Sequence, residues 1–343
     1  MSRSALIDFI KALAAQVIVW HHFVLYTPMA QVLSGSSPLW IDWLNTHGRL
    51  AVQPFLVIGG FLAAQSMGRR HTVFFWSLVG QRYLRLMPAL VVSLCLVIMV
   101  TWVLGEHLRD AEWASPLPDV GIFLAHVFML QDLLGVGSIS AGAWYLAIDL
   151  QLFALYVLLV KISAWWSPRM TVSVLSALVT GLTLASIHVF SRQPVLDIWA
   201  IYFFSAYGLG ALVAWSPANR VARFCLALTA TLWLMDLALD PRPRPLLALA
   251  TGAVLLAWSN RQTPGARLWA GWLQRLGDGS YALFVSHFAV ILFMSAIWAS
   301  QSAKGAGAAW LYLGAAWLLA LLVGHAVDRI SQGLTRWAWP MRG

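Results

Sequence analysis

Apolar residues run through this chain in long unbroken stretches separated by short polar breaks. Neither the alternation of a half-buried strand nor the single apolar stripe of a surface helix dominates. Stretches long enough for a helix to cross a hydrocarbon core of about 30 Å fall at approximately 5–28, 50–67, 84–104, 143–162, 170–190, 197–215, 221–239, 244–259, 280–299 and 308–327. The eighth is short. A further apolar stretch, 120–134, is too short for a span and reads as a re-entrant or surface helix inside the loop 105–142. The pattern predicts an all-α integral membrane protein of about ten transmembrane helices, forming a single domain over 1–343.

Composition strengthens that reading. Hydrophobic residues make up 60% of the chain and charged residues only 10%, too few charges to coat a water-facing globule of this size. Disorder, collagen and small disulfide scaffolds are excluded. A net charge of +9 would suggest nucleic acid in a soluble chain. Here it follows the loops, and no nucleic-acid partner is expected. With the N-terminus inside, the inner segments hold Arg3, the Arg69–Arg70–Arg82–Arg85 group, Lys161, Arg169, Arg220, Arg223, Arg261, Arg267, Arg275, Arg329, Arg336 and Arg342. The outer loops hold Arg49, Arg109, Arg192, Arg242, Arg244 and Lys304. This inner excess predicts that both termini are cytoplasmic. The long outer loop carries Glu106, Asp110, Glu112 and Asp119 and has room for an acceptor-binding cap. Asp8 and Lys11 interrupt the stretch ahead of Ala12-Leu13-Ala14, so the first segment reads as retained rather than as a removable signal peptide. Cys95 and Cys225 lie in apolar runs and read as core residues without a disulfide role.

Ionisable residues inside the spans are the candidate chemistry, because a charge at the centre of a spanning helix costs about 2.5–3.5 kcal/mol on insertion scales. The first span carries Asp8, Lys11 and His22. Lys11 and His22 are eleven residues apart, about three helical turns, so they share a face about 16 Å apart along the axis. His21 points about 100° away from His22, and Asp8 is spaced to pair with Lys11. The fourth span starts outside at Trp144, which places Asp149 in the outer half with His22. A carboxylate accepting from one imidazole nitrogen would orient the ring and strengthen the other nitrogen as a base. At the inner edge, Arg82 and Arg85 flank Tyr83 at i and i+3, a spacing that suits a phosphate-rich ligand from the cytoplasm. Simpler readings stand beside these: Arg82 and Arg85 as inner-leaflet anchors, Lys11 snorkelling to the inner surface, His22 as a satisfied interior histidine. Asp236 reads as interfacial, and His126 and His287 are undecided. No HExxH or Cys-rich spacing supports a metal site, and no metal is expected.

The order of these residues resembles the acyltransferase-3 family. Ile7-Asp8-Phe9-Ile10-Lys11, then ten residues to His22, is similar to its opening basic-x10-His motif. Arg82-Tyr83-Leu84-Arg85 followed by Pro88 resembles its Arg-x-x-Arg motif. Trp144-Tyr145-Leu146 through Asp149, Gln151 and Phe153 resembles its Trp-x-Leu-x-x-Glu-x-Gln-Phe segment. Gly277 to Leu283, with Ser280 and Tyr281 and then His287, resembles its Gly-x-x-Ser-Tyr-x-Leu segment ending in His. Gln53-Pro54-Phe55-Leu56 with Gly60-Phe61 is similar to its second span. Asp149 stands where the family has Glu, and Lys11 where Arg is commoner. The resemblance implies transfer of an acyl group, usually acetyl, from acyl-CoA to a hydroxyl of a glycan, a glycolipid or a small-molecule acceptor. It implies His22 and Asp149 as catalytic residues, with Lys11, Arg82, Tyr83 and Arg85 holding acetyl-CoA. Asp8, Trp144, Gln151, Ser280, Tyr281 and His287 would line the site. It also implies a multi-pass protein of a bacterial inner membrane, with the lipid bilayer as its surroundings. Many members carry a fused extracytoplasmic hydrolase-like domain; residues 1–343 contain none, so a stand-alone transferase is expected. The rival reading is a transporter or proton-coupled carrier without acyl-transfer chemistry, since buried charges in a bundle serve that purpose too.

Overall fold

A computed structural model describes residues 5–34, 39–67, 72–108, 114, 116–166, 170–259, 267–302 and 304–338. Arg3, Arg69, Arg70, Arg109, Asp110, Glu112, Arg169, Arg261 and Arg342, which entered the loop-charge reading, lie outside the described residues. The protein is all-helical, with no strand among the described residues. That is the outcome expected where water cannot satisfy backbone N–H and C=O groups and a helix pairs them internally.

The helices are α1 (Ala5–Tyr26), α2 (Pro28–Ser34), α3 (Leu39–His47), α4 (Val52–Met67), α5 (Phe75–Leu104), α6 (Val120–Val127) and α7 (Ala143–Trp166). They continue with α8 (Thr171–His188), α9 (Ala200–Trp215), α10 (Arg220–Leu239), α11 (Pro243–Ser259), α12 (Arg267–Ala299) and α13 (Ala306–Ala338). Every predicted span is a helix. Seven of them are long and apolar enough to cross a membrane: α1, α5, α7, α8, α10, α12 and α13. The other three, α4, α9 and α11, have 16, 16 and 17 residues. At about 1.5 Å per residue each falls short of a full hydrocarbon core on its own. α5 and α12 begin well before the apolar runs that announced them, because polar residues continue a helix past the edge of the hydrocarbon. Within the stretch 120–134 the short helix α6 ends at Val127, just before Met129 in the left-handed region, φ 58°.

The described chain divides into two compact units. One comprises residues up to Ile7, Val52–Tyr83 and Ile148–Ala270. Its central element is α9, which packs against α4, α8, α10 and α11 and is buried around most of its circumference. A helix so enclosed by protein has no need to match the bilayer, which explains its short length. Glycine permits the closeness. A Cβ on Gly60 would stand 1.8 Å from the Tyr207 carbonyl oxygen, and one on Gly210 would stand 1.9 Å from that of Val57. The two contacts are reciprocal, α4 into α9 and α9 into α4. Helices in lipid gain little from a hydrophobic drive between them, so such backbone-close packing supplies the attraction. At one end of this unit Asp236 accepts from Arg192 at 2.7 Å, Arg242 at 2.6 Å and His188 at 3.2 Å, clasping the ends of α8 and α10.

The other unit comprises Asp8–Ala51, Leu84–Ala147 and Gly271–Gly343. Here α12 is the core: 83% of its apolar window is buried, against 22% for α13. Gly277 and Gly324 bring α12 close to α1 and α13, since a Cβ would lie 2.7 Å from the Asp8 Cα and 2.9 Å from the Leu283 Cα respectively. Trp317 Nε1 donates to Gln16 Oε1 at 2.8 Å, joining α13 to α1.

The crossing of α4 and α9 is testable. Gly60→Ala and Gly210→Ala are each expected to destabilise the protein by about 1–3 kcal/mol or more. Gly181→Ala, where nothing lies within 4 Å, should change stability by less than about 0.5 kcal/mol. Thermal unfolding of detergent-purified variants, read by loss of the monodisperse peak, checks this.

Candidate active site

In the second unit, α1 is one continuous helix, so the three-turn spacing of Lys11 and His22 holds. Both residues meet α12. Lys11 Nζ donates to the Gly277 carbonyl at 2.9 Å, and the buried Ser280 hydroxyl donates to the same oxygen at 2.7 Å. The backbone of Asp8, itself buried, lies against Gly277. Lys11 therefore presents an ammonium anchored on one backbone carbonyl. Tyr281 donates its hydroxyl to the Leu86 carbonyl at 2.7 Å, tying α12 to α5 just beyond Arg85, whose side chain is exposed.

Three turns along, His22 and His287 are both buried, at 8% and 0% exposure. His22 Nδ1 lies 2.7 Å from His287 Nε2. The ring centroids are 4.9 Å apart and the planes differ by 13°. The centroid separation exceeds the N···N distance by about two ring radii, so the rings lie side by side in nearly one plane rather than face to face. This is the geometry of a hydrogen bond along a nitrogen lone pair. The Tyr26 ring, one turn on from His22, is 5.5 Å from it and meets Phe288 edge-on at 5.7 Å. Trp144, half-buried, packs edge-on against Tyr145 at 6.2 Å; Tyr145 meets Phe284, whose ring is 6.2 Å from His287. The neighbouring His21 serves the scaffold: its Nδ1 donates to the Leu44 carbonyl at 2.7 Å. His126 does likewise. Its Nδ1 donates to the Ile122 carbonyl at 2.8 Å and its Nε2 accepts from the Ile139 N–H at 3.0 Å. Burial lowers its pKa below the usual histidine range, the Ile122 bond opposing only in part.

In the first unit, Asp149 is buried and bound by Arg82. Nε donates to Oδ2 at 3.0 Å, and Nη2 to Oδ1 at 2.8 Å and Oδ2 at 2.7 Å. The guanidinium also lies over the Phe153 ring, 5.6 Å from its centre, and Asp149 sits beside the Gly59–Tyr207 crossing. Tyr83, next to Arg82, is half-buried. Gln151 is a bracket for α9: its amide donates to the Ile198 carbonyl at 3.2 Å and its Oε1 accepts from the Ala200 N–H at 3.0 Å, at the start of that helix.

Asp149 was expected to orient His22; within the first unit its oxygens accept from Arg82, and within the second unit His22 Nδ1 lies 2.7 Å from His287 Nε2. Arg82 was expected at the inner edge as a phosphate clamp; within the first unit its guanidinium pairs with Asp149. Arithmetic along one helix gives a level on that helix's own axis, but it does not say which residues meet across helices. α5 begins at Phe75, nine residues before the apolar run, so Arg82 lies about two turns inside the helix rather than at its mouth. Two contributors escaped the sequence reading. Tyr26 had the signal of lying four residues from His22. Tyr207 had none, because only the α4–α9 crossing brings it near Asp149.

A partly buried ion pair loses heavily when one partner is removed, by about 3–5 kcal/mol. Asp149→Ala and Arg82→Ala are each expected to lower stability by that order, and the double variant by less than their sum. A coupling energy below about 0.5 kcal/mol in the double-mutant cycle would show that the contact carries little.

A family described as an acyltransferase domain matches residues 5–327. No curated protein and no solved structure matches the chain. The matched region spans every residue assembled above, from Lys11 and His22 on α1 to Gly277 and His287 on α12, and the chain belongs to the acyltransferase-3 family.

Proposed function

We propose that this protein is a membrane-embedded O-acyltransferase that moves an acetyl or other acyl group from cytoplasmic acyl-CoA to a hydroxyl of a glycan, glycolipid or similar acceptor. The observation that carries the reading is His22. It is a buried imidazole in an in-plane hydrogen bond to a second imidazole, on the same helix as the anchored ammonium of Lys11. In this scheme both termini face the cytoplasm of a bacterial inner membrane. Lys11 and Arg85 attract the phosphates of the donor, while Arg82 holds Asp149 and the shape of the first unit.

The chemistry asks for one base. His22 Nε2 takes the proton of the acceptor hydroxyl as its oxygen attacks the thioester carbonyl. The carbon–sulfur bond then breaks, and the proton passes from His22 to the departing thiolate. Nothing else is consumed, and an ester and free CoA result. Removing the base leaves positioning alone, so loss of His22 should be severe while loss of a phosphate contact should not.

Purified protein incubated with radiolabelled acetyl-CoA and candidate glycan or lipid-linked acceptors tests this. A labelled ester is expected. His22→Ala should reduce its formation by about 10²–10⁴-fold with the protein still monodisperse. Arg85→Ala should raise KM for acetyl-CoA by about tenfold or more, a lost charge-assisted contact, with kcat little changed. Solute uptake into proteoliposomes without any labelled ester would favour a carrier and overturn the proposal.

A further inference from the structure

The second unit also carries a cleft of about 440 Å³ between α5 and α6, within the size range of small-molecule sites, about 300–1,000 Å³. One wall is the stripe Cys95, Ile98, Met99 and Trp102 of α5, spaced i, i+3, i+4, i+7 along one helix face. The facing wall is the turn from Pro118 into α6 as far as Phe123. Cys95, read from the sequence as a core residue, is exposed here, as are Met99 and Trp102. Since α5 is long and apolar enough to cross a membrane, an uncovered apolar stripe on it faces hydrocarbon rather than water. Asp119 is the one charged residue of the lining among the described residues. Its Oδ1 accepts from the Ile122 N–H at 2.8 Å and caps α6. With a carboxylate at its edge and no cation in its lining, the cleft repels the phosphates of CoA and suits a head group that brings hydroxyl donors.

The cleft is continuous with the wall of the His22 site. Ile98 and Pro118 also border a gap of about 10 Å³, closed on its other sides by Ile139, Phe288 and Leu292 among others. That gap is too small for a length of chain, so the cleft is a blind bed and not a passage. Phe288 follows His287 on α12 and meets the Tyr26 ring edge-on, and Tyr26 lies against His22. The far wall is held in place by His126, which bonds Ile122 on α6 and the Ile139 N–H at once. We propose that the cleft between α5 and α6 is the bed for the hydrocarbon tail of a lipid-anchored acceptor with an uncharged, hydroxyl-bearing head group. This deepens the acyltransferase reading and rests on it for its catalytic consequence. Lipid tails are as apolar as the stripe itself, so the gain is packing against a shaped surface rather than removal from water. A tail seated there keeps the acceptor beside the wall that Phe288 and Tyr26 share with His22.

Cys95 supplies the probe, because it lines the cleft and is exposed while Cys225, the other cysteine, is buried. In the first arm, wild-type protein in phosphatidylcholine nanodiscs reacts with a membrane-permeant alkyl methanethiosulfonate, and mass spectrometry follows the rate at Cys95. Glucosyl-diacylglycerol is expected to slow labelling about fivefold or more, by occupancy of the cleft. Methyl glucoside, which has no tail, and phosphatidylglycerol, which has the same tails on an anionic head, should each change it by less than about twofold. Equal protection by phosphatidylglycerol would show a bed for ordinary membrane lipid and overturn the proposal, as would no protection by the glycolipid. The second arm is kinetic and uses protein whose Cys95 carries the bulky disulfide. Ester formation on a lipid-anchored acceptor should fall about tenfold or more, while that on its tail-less head group changes by less than about twofold. Reduction of the disulfide should restore the rate, and Cys95→Ala should be insensitive to the reagent. Equal loss on both acceptors, or no loss on either, overturns the proposal. Absence of ester on every acceptor offered would refute the enzyme reading, while the labelling arm would still decide the occupant of the cleft.

Discussion

A polar side chain inside a hydrocarbon-facing bundle has no water to turn to, and this constraint accounts for most of what is distinctive in the protein. Among the described residues, several buried charges and imidazoles are met by another group of the chain. Asp149 receives two arms of Arg82, Asp236 is enclosed by Arg192, Arg242 and His188, and His22 meets His287 in plane. Backbone ends are handled the same way: Gln151 brackets the start of α9, and Lys11 and Ser280 share the Gly277 carbonyl. Such contacts stabilise the fold and also restrict the chemistry, because a group committed to one partner is not available to another.

Asp149 illustrates that restriction. A carboxylate in a bidentate ion pair already has its charge compensated, so it serves as a fastener between α5 and α7. In the second unit the partner of the His22 ring is another imidazole.

Glycine sets the distances at which these contacts operate. Gly277 lets α1 approach α12 closely enough for Lys11 to reach a helix carbonyl, and His22 meets His287 further along the same pair of helices. Gly60 and Gly210 do the equivalent for α4 and α9, where Tyr207 and Asp149 come together beside Gly59. Packing of this kind leaves little room for adjustment.

Much of this was legible in the amino-acid sequence. Long apolar runs dictate helices because lipid tolerates little else, and the spacing of Lys11 and His22 places them on one face because the helical repeat is rigid. The motifs around His22, Arg82–Arg85, Trp144–Phe153 and Gly277–His287 announced the family. What only the tertiary structure decided was partnership. Asp149 and His22 looked matched by depth, yet Arg82 takes the carboxylate and His287 takes the imidazole. Tyr207 entered through a helix crossing that no local pattern announces. Periodicity along a single helix fixes direction and rise, whereas contacts between helices depend on crossing angle and closeness, and those are set by glycines and side-chain volumes far apart in the chain.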